Sequence, residues 1–328
     1  MIEFRTKLPK VEFPFHISHQ HSLLCMGSCF AENIARELEA FQFNCLANPF
    51  GILYNPISVS NGLELLMGSS QFSANDLFLH QGLWHSFQHH GRFSGPDRET
   101  VLNQLNKQLL SGQSHIQKTN RLLLTLGTAY TFRLKDSKQV VANCHKRPAD
   151  EFDRELLSVE LSVLALSEIL KKLKFQHPEI EVVLTVSPIR HLRDGLIQNQ
   201  RSKATLLLTA AALEQQFPFV HYYPAYEMVI DDLRDYRFYE KDMAHPNQLA
   251  VDYIWNHFQS TFFEANTQQI VKEVAKVIQA AQHRPFHPHI KEHQDFVHKQ
   301  LARIAALKKQ YSFLDLSKEV AAFEAQLV

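Results

Sequence analysis

The stretch LLCMGSCFAENIAREL, residues 23–38, decides the fold. An apolar run ends at Gly27, a Ser-Cys pair follows, and Ile34, Leu38 and Phe41 then recur at the spacing of one helix face. A buried strand that turns straight into a helix leaves its turn at the carboxyl edge of a sheet, beside the positive end of the helix dipole. Ser28 and Cys29, both capable of nucleophilic attack, occupy that turn. An open α/β fold keeps its chemistry at such a junction.

Outward from this unit the pattern repeats. Residues 1–20 read as a leading arm with little periodicity. NCLANPFGILYNP (44–56) supplies a short strand and a Pro/Gly/Asn-rich loop of the kind that carries sites. Residues 76–95 read as a short β excursion and 97–118 as a polar, periodic helix. RLLLTLGTAYTFRL (121–134) reads as a second buried strand, and QVVANCHKRP (139–148) as a shorter one closing a hairpin-like insertion. A long helix at about 150–175 leads to the strand EIEVVLTVSPIRH (179–191), and a helix at about 200–216 to FVHYYPAYEMVID (219–231). Continuous apolar strands alternating with helices predict a mainly parallel sheet covered on both faces, a three-layer α/β/α fold. From residue 265 the chain is helical and charged. The domain boundaries expected are therefore 1–264 for the α/β part and 265–328 for a C-terminal helical extension packed on the core or on a partner.

With 328 residues, 45% of them hydrophobic, the chain can bury a large core. Lys+Arg and Asp+Glu are both 34, and this balance argues against nucleic acid as a partner. No apolar run nears the ~20 residues of a bilayer span, so no membrane span is expected. The start, MIEFRTKLPKVEFPF, lacks the apolar core of a signal peptide, and a cytoplasmic location follows as an expectation. Four cysteines in such a chain are expected to be reduced thiols, not a disulfide framework.

Near the end of the α/β part, DMAHPN (242–247) sets Asp242 three residues before His245. That spacing lets the carboxylate bond the near imidazole nitrogen and leaves the far one to take a proton from a nucleophile. Pro246 suits the first turn of the helix that follows.

A nucleophile turn after the first strand and an acid-base pair near the last βα junction follow the order of the SGNH, or GDSL-type, hydrolases. The strings MGSCFAENI, NPFGILYNP, LTLGTAYTF, NCHKRP, TVSPIRHLRDG and DMAHPN, in that order over roughly residues 20–260, resemble the GSCFA domain family, named for Gly27 to Ala31. The resemblance implies a flavodoxin-like, SGNH-hydrolase-like fold in a bacterial protein without a cofactor. It also implies a hydrolase or acyltransferase acting on an ester, thioester or acylated carbohydrate through a Cys/Ser-His-Asp triad. An acyl donor is then a further candidate ligand.

The superfamily's first motif is Gly-Asp-Ser; here its third position is Cys29, which makes Cys29 the favoured nucleophile and Ser28 the alternative. A helix N-terminus and an imidazole are expected to lower a thiol below its free value of ~8.5. The second motif's glycine is matched by Gly51, whose N–H would join the oxyanion hole. The third motif, Gly-x-Asn, has Ala129 where the asparagine belongs, leaving Thr128 or Asn143 to supply the donor. Lys146 and Arg190, with His145 and His191 beside them, are candidates to bind an anionic group of the substrate. His89 and His90, with Trp84, are candidates for a lid or specificity wall.

Simpler readings stand beside these. Ser28 can be an N-cap and Cys29 a small buried hydrophobe. The whole chain can be a non-catalytic binding or scaffold protein that retains an SGNH-like fold. His85 and His89 are four residues apart, but the excursion does not read as a helix and no metal site is expected. One glycine in GSCFAEN does not make the Gly-x-Gly-x-x-Gly turn of a dinucleotide site.

Overall fold

The computed structural model describes residues 5–9, 11–283 and 285–327; residues 1–4 and 10 of the leading arm, and Arg284 and Val328 of the extension, lie outside the described residues. The chain opens with β1 (Ser22–Gly27), α1 (Cys29–Ala40), β2 (Asn44–Ala47) and α2 (Pro56–Met67). A hairpin of β3 (Phe78–His80) and β4 (Leu83–His85) precedes α3 (Arg98–Ile116) and β5 (Arg121–Leu126). Then come β6 (Tyr130–Leu134), β7 (Val140–Val141), β8 (Phe152–Leu156), α4 (Val159–Gln176) and β9 (Glu181–Val186). After α5 (Gly195–Gln216) and β10 (Val220–Tyr222), one short turn α6 (Ala225–Glu227) runs into a π-helical turn at Met228–Asp232. Four helices close the chain: α7 (Gln248–Phe262), α8 (Ala265–Gln282), α9 (Lys291–Gln310) and α10 (Ser317–Glu324).

Five strands form the central sheet in the order β10-β9-β5-β1-β2, and every pair is parallel. Strand order reverses between β1 and β5, so the loops after these two strands flank the crevice in which an open α/β sheet holds its ligands. Side chains alternate across the sheet as the strand period requires. Leu24 and Met26 of β1, Leu122, Leu124 and Leu126 of β5, and Val182, Leu184 and Val186 of β9 join one core with α2, α3, α4 and α5. Leu23, Cys25, Leu123 and Val183 point the other way, onto Phe30, Ile34 and Leu38 of α1 and Ile254, Trp255 and Phe258 of α7. The result is the three-layer α/β/α architecture expected from the apolar runs.

Four readings made from the sequence differ in the structure. The run 121–134 is two strands: Gly127 and Thr128 leave the ladder and donate their N–H groups to the Tyr54 carbonyl at 2.7 and 3.0 Å. β6 then starts a separate antiparallel sheet in the order β7-β6-β8. The helix expected at 150–175 begins only at Val159, because residues 152–156 pair with β6 as β8. The strand at 219–231 stops at Tyr222, before Pro224. Pro246 is not in the first turn of α7; it precedes the N-cap Asn247 and bridges to Tyr239.

Helices α8, α9 and α10 surround an apolar cluster of their own, with Val274, Val297, Ile304 and Phe323 buried in it. They meet the α/β part through Phe41, through His19 stacked on Phe313 at 5.0 Å, and through the Asp315 N–H donating to Gln42 Oε1. Among the described residues no helix is long and apolar enough to cross a membrane.

Candidate active site at the carboxyl edge of the sheet

The turn after β1 is forced by Gly27. Its φ is +130°, and a Cβ there would lie 2.1 Å from the Thr125 carbonyl oxygen, so only glycine lets β1 and β5 close at this point. The Gly27 N–H donates to Asn48 Oδ1 at 2.8 Å, and Asn48 Nδ2 donates to Glu32 at 3.3 Å. Arg92 ties the same group together, reaching Glu32 at 2.7 Å and the Asn48 carbonyl at 2.9 Å. Ser28 is buried and its Oγ accepts the Phe30 N–H at 3.3 Å, the bond of an N-cap. Cys29 is the first helical residue and is partly exposed.

The Cys29 thiol is not the acidic group expected from the sequence. Burial raises its pKa above the ordinary range and Glu32 adds to the rise, outweighing the N–H groups of Cys29 and Phe30 and the charge of Lys203. Desolvation of the thiolate therefore wins over the helix terminus. Tyr54 stands close enough to Cys29 and Glu32 for both to push its own pKa up, after burial, and its ring meets His191 edge-on at 5.2 Å.

Beneath this edge lies a residue that the motifs do not mark. Lys203 of α5 is fully buried, and its Nζ donates to the carbonyls of Gly127 and Ser187, both at 2.6 Å. One cation thus ties the carboxyl ends of β5 and β9. Burial lowers its pKa to about 7, with Cys29 opposing and Arg190 adding to the fall. Its register with Leu206, Ala210 and Leu213 on the buried face of α5 is the signal by which it was detectable. His191 is lowered to about 4 by burial, then by Lys203 and His245, and its Nε2 is buried without a hydrogen bond. His191 thus feels both Lys203 and His245, and Cys29 feels Lys203.

Asp242 and His245 form the pair that their spacing suggested. Asp242 Oδ1 accepts the N–H groups of Ala244 and His245, both at 3.0 Å, and Oδ2 meets His245 Nδ1 at 2.5 Å. Those backbone donors, then the imidazole, hold the carboxyl down at about 2. The loop is pinned in turn: Glu240 N–H donates to the His245 carbonyl at 2.7 Å, and Met243 takes a left-handed φ of +58°. No hydrogen bond among the described residues engages His245 Nε2.

Other expected residues are distributed differently. The Gly51 N–H donates to the Asn48 carbonyl at 2.7 Å, so it offers no free oxyanion donor. Gly51 instead permits a left-handed turn, with φ +78° and no room for a Cβ against His90. Thr128 Oγ1 bonds Ser202 at 2.9 Å, and the Ala129 N–H is also taken by Ser202. Asn143 spends its Oδ1 on the His145 N–H, leaving the amide NH₂ in a cavity with Tyr54 and Thr128.

His89, a candidate for a lid or specificity wall, and His145, a candidate to bind an anionic group, are both buried. His89 bonds Ser86 and packs among Phe50, Phe72 and Phe93, with its pKa down at about 3 from burial and His145. His145 Nε2 meets the Ser86 carbonyl at 2.8 Å, and burial, despite that bond, takes it to about 4. His90 bonds the Arg92 N–H, and Trp84 lies under Arg98. These rings fasten the excursion. Among the described residues no group of three or more His, Cys, Asp or Glu is placed to hold a metal ion.

Two cavities flank the edge. One of about 410 Å³ is lined by Arg190, Leu192, Leu196, Ile230, Tyr239 and Met243, beside the Asp242–His245 loop. The other, about 360 Å³, runs from Tyr54 and Thr128 to Lys146 and Arg193.

The model of the GSCFA family matches residues 22–258, and that of the GSCFA domain protein, C-terminal domain, matches residues 274–328. A search of the curated proteins finds no match.

Proposed function

The chain belongs to the GSCFA family, and from that membership and the geometry of the sheet edge we propose an acyl-transfer enzyme of SGNH type, with Cys29 as nucleophile, His245 as general base and Asp242 orienting the imidazole. The observation that carries this reading is the Asp242–His245 pair. Both side chains are half exposed, where an ion pair adds little to stability, yet two backbone N–H groups fix the carboxylate and the carboxylate fixes the ring. A held Nδ1 and an unengaged Nε2 are what a nucleophile requires of its base.

In this mechanism His245 Nε2 takes the Cys29 proton as Sγ attacks the carbonyl carbon of an ester or thioester, small-molecule or carbohydrate-borne. Burial and Glu32 raise the thiol, which makes transfer of its proton to the imidazole part of the attack. The Cys29 N–H, the Tyr54 hydroxyl and the Asn143 amide are the donors left to meet the oxyanion. The imidazolium returns its proton to the leaving group, and water or an acceptor hydroxyl then releases the acyl group. Four free thiols fit a reducing, cytoplasmic setting.

One observation favours the non-catalytic alternative: the N–H groups of Gly51, Gly127, Thr128 and Ala129 all have internal partners. Incubation with p-nitrophenyl acetate, followed by peptide mass mapping, separates the two readings. An acetyl adduct on Cys29 is expected, slowed by roughly 10²–10⁴ in His245→Gln. An adduct elsewhere, or one formed as fast without the imidazole, supports the scaffold.

A further inference from the structure

We infer that the cavity between Tyr54 and Lys146 receives the phosphate-bearing arm of a thioester acyl donor, which makes the enzyme a transferase. The inference rests on the reading of Cys29 as nucleophile. The cavity of about 360 Å³ begins at Tyr54, beside Cys29, and is walled by Tyr130, Phe132 and Phe152. Lys146, Arg147 and Arg193 line it as well, Arg193 lying over the Phe132 ring at 5.7 Å.

The charges do not cancel there. Arg147 is paired with Glu151 at 2.5 Å, and Asp194, next to Arg193, is taken by Arg154. Among the described residues no carboxylate pairs with Lys146 or Arg193. Lys146 is held against the cleft by an unusual turn in which His145 and Lys146 are both left-handed, at φ +49° and +57°, secured by Asn143 and the Ser86 carbonyl. A cleft lined by aromatic rings and by two cations without a carboxylate partner suits a ligand with a neutral stem and an anionic end.

The chemistry of Cys29 narrows the class. An acyl group on Sγ is itself a thioester, so a thioester donor exchanges with little change in free energy, whereas an ordinary oxygen ester must be driven uphill. In the first half-reaction the Cys29 proton passes to His245, the new C–S bond forms, and the donor's C–S bond breaks. The leaving sulfur takes the proton from His245 and departs as a thiol. In the second, an acceptor hydroxyl gives its proton to His245, its oxygen bonds the acyl carbon, and Sγ leaves to regain that proton. The cavity of about 410 Å³ on the His245 side is the space for the acceptor.

The test pairs binding with reaction. Coenzyme A is titrated by calorimetry into Cys29→Ala protein, with and without Lys146→Gln and Arg193→Gln. Binding that weakens roughly tenfold in the doubly neutralised protein, and weakens with salt, is expected. No binding, or binding indifferent to the two substitutions, overturns the pocket. Acylation of Cys29 is then compared for acetyl-coenzyme A and the phosphate-free thioester S-acetyl-N-acetylcysteamine. The coenzyme is expected to be preferred, and the preference to fall about tenfold when both cations are neutralised. Equal rates with the two donors count against the pocket while leaving Cys29 as the nucleophile. Coenzyme A that binds without any acylation of Cys29 refutes the enzymatic reading instead. Phosphopantetheine that competes as well as coenzyme A identifies a carrier-borne donor; competition by coenzyme A alone identifies the free nucleotide.

Discussion

At the scale of single residues, Cys29 and Lys203 govern one another. Burial dominates both, raising the thiol and lowering the ammonium, and each charge opposes the other's displacement. Lys203→Met keeps the length of the side chain and removes an ammonium whose pKa of about 7 leaves it largely neutral where the raised thiol ionises. The pH–rate profile of iodoacetamide alkylation, read at Cys29 by mass spectrometry, is therefore expected to have its midpoint above the free-thiol value of about 8.5 and to stay there in the variant, with Lys203 acting as a strut between β5 and β9. A midpoint that moves higher in the folded variant would mean that Lys203 is still charged where Cys29 ionises. The variant also strips a donor from the Gly127 and Ser187 carbonyls, at a cost of roughly 1–3 kcal/mol for each buried acceptor left unmade. The motif strings exposed Cys29, Asp242 and His245, because such residues stand out where strands end. Lys203 escaped because it lies in mid-helix, where lysines are ordinarily solvated. The raised thiol escaped because a helix terminus is visible in a sequence and the desolvation opposing it is not.

At the scale of elements, the excursion around β3 and β4 is held by imidazoles that must stay neutral. His89 and His145 have folded pKa values of about 3 and about 4, below the ordinary 6.5 of the unfolded chain. Between those values and 6.5 the unfolded chain binds more protons than the folded one, so stability falls as pH drops through this window. A histidine whose pKa folding lowers tenfold in proton affinity loses about 1.4 kcal/mol of stability once the pH is below both its folded and its unfolded value. The urea midpoint is expected to drop from pH 6.5 to pH 4, and His89→Gln, which cannot charge, to flatten the drop while lowering stability at neutral pH. An equally steep drop in that variant would place the acid sensitivity elsewhere. The sequence showed this histidine cluster but not its role. Whether a histidine faces substrate or Phe50, Phe72 and Phe93 depends on a loop path that no periodicity encodes. The same limit explains the long run 121–134: apolar residues continue past Leu126, and only the Tyr54 carbonyl, drawing off the Gly127 and Thr128 N–H groups, ends the strand. Where the period was strong, as in β1 and α1, sequence and structure coincide.

At the scale of the whole molecule, the apolar runs were sufficient for the three layers because a parallel sheet buried on both faces has no other way to cover its strands. The C-terminal helices are a different case. Val271 of α8 packs into the α/β core, while Ile270, Val274 and Val277 of the same helix pack against α9 and α10. The first link couples the helices to the sheet; the second gives them a core of their own. Phe323 of α10 is fully buried in that second core, and Phe323→Ala is expected to cost about 3–5 kcal/mol there. Because Ile270, Val274 and Val277 pack with α9 and α10 while Val271 packs with the sheet side, we expect the loss to be local: amides of α9 and α10 exchange much faster, while those of β5 and β9 keep their protection. Hydrogen exchange resolved by mass spectrometry distinguishes this from full coupling. Matched acceleration in α10 and β5 would mean that Phe41, His19 and Val271 bind the two cores into one cooperative unit, and the boundary proposed near residue 264 would then have no energetic meaning.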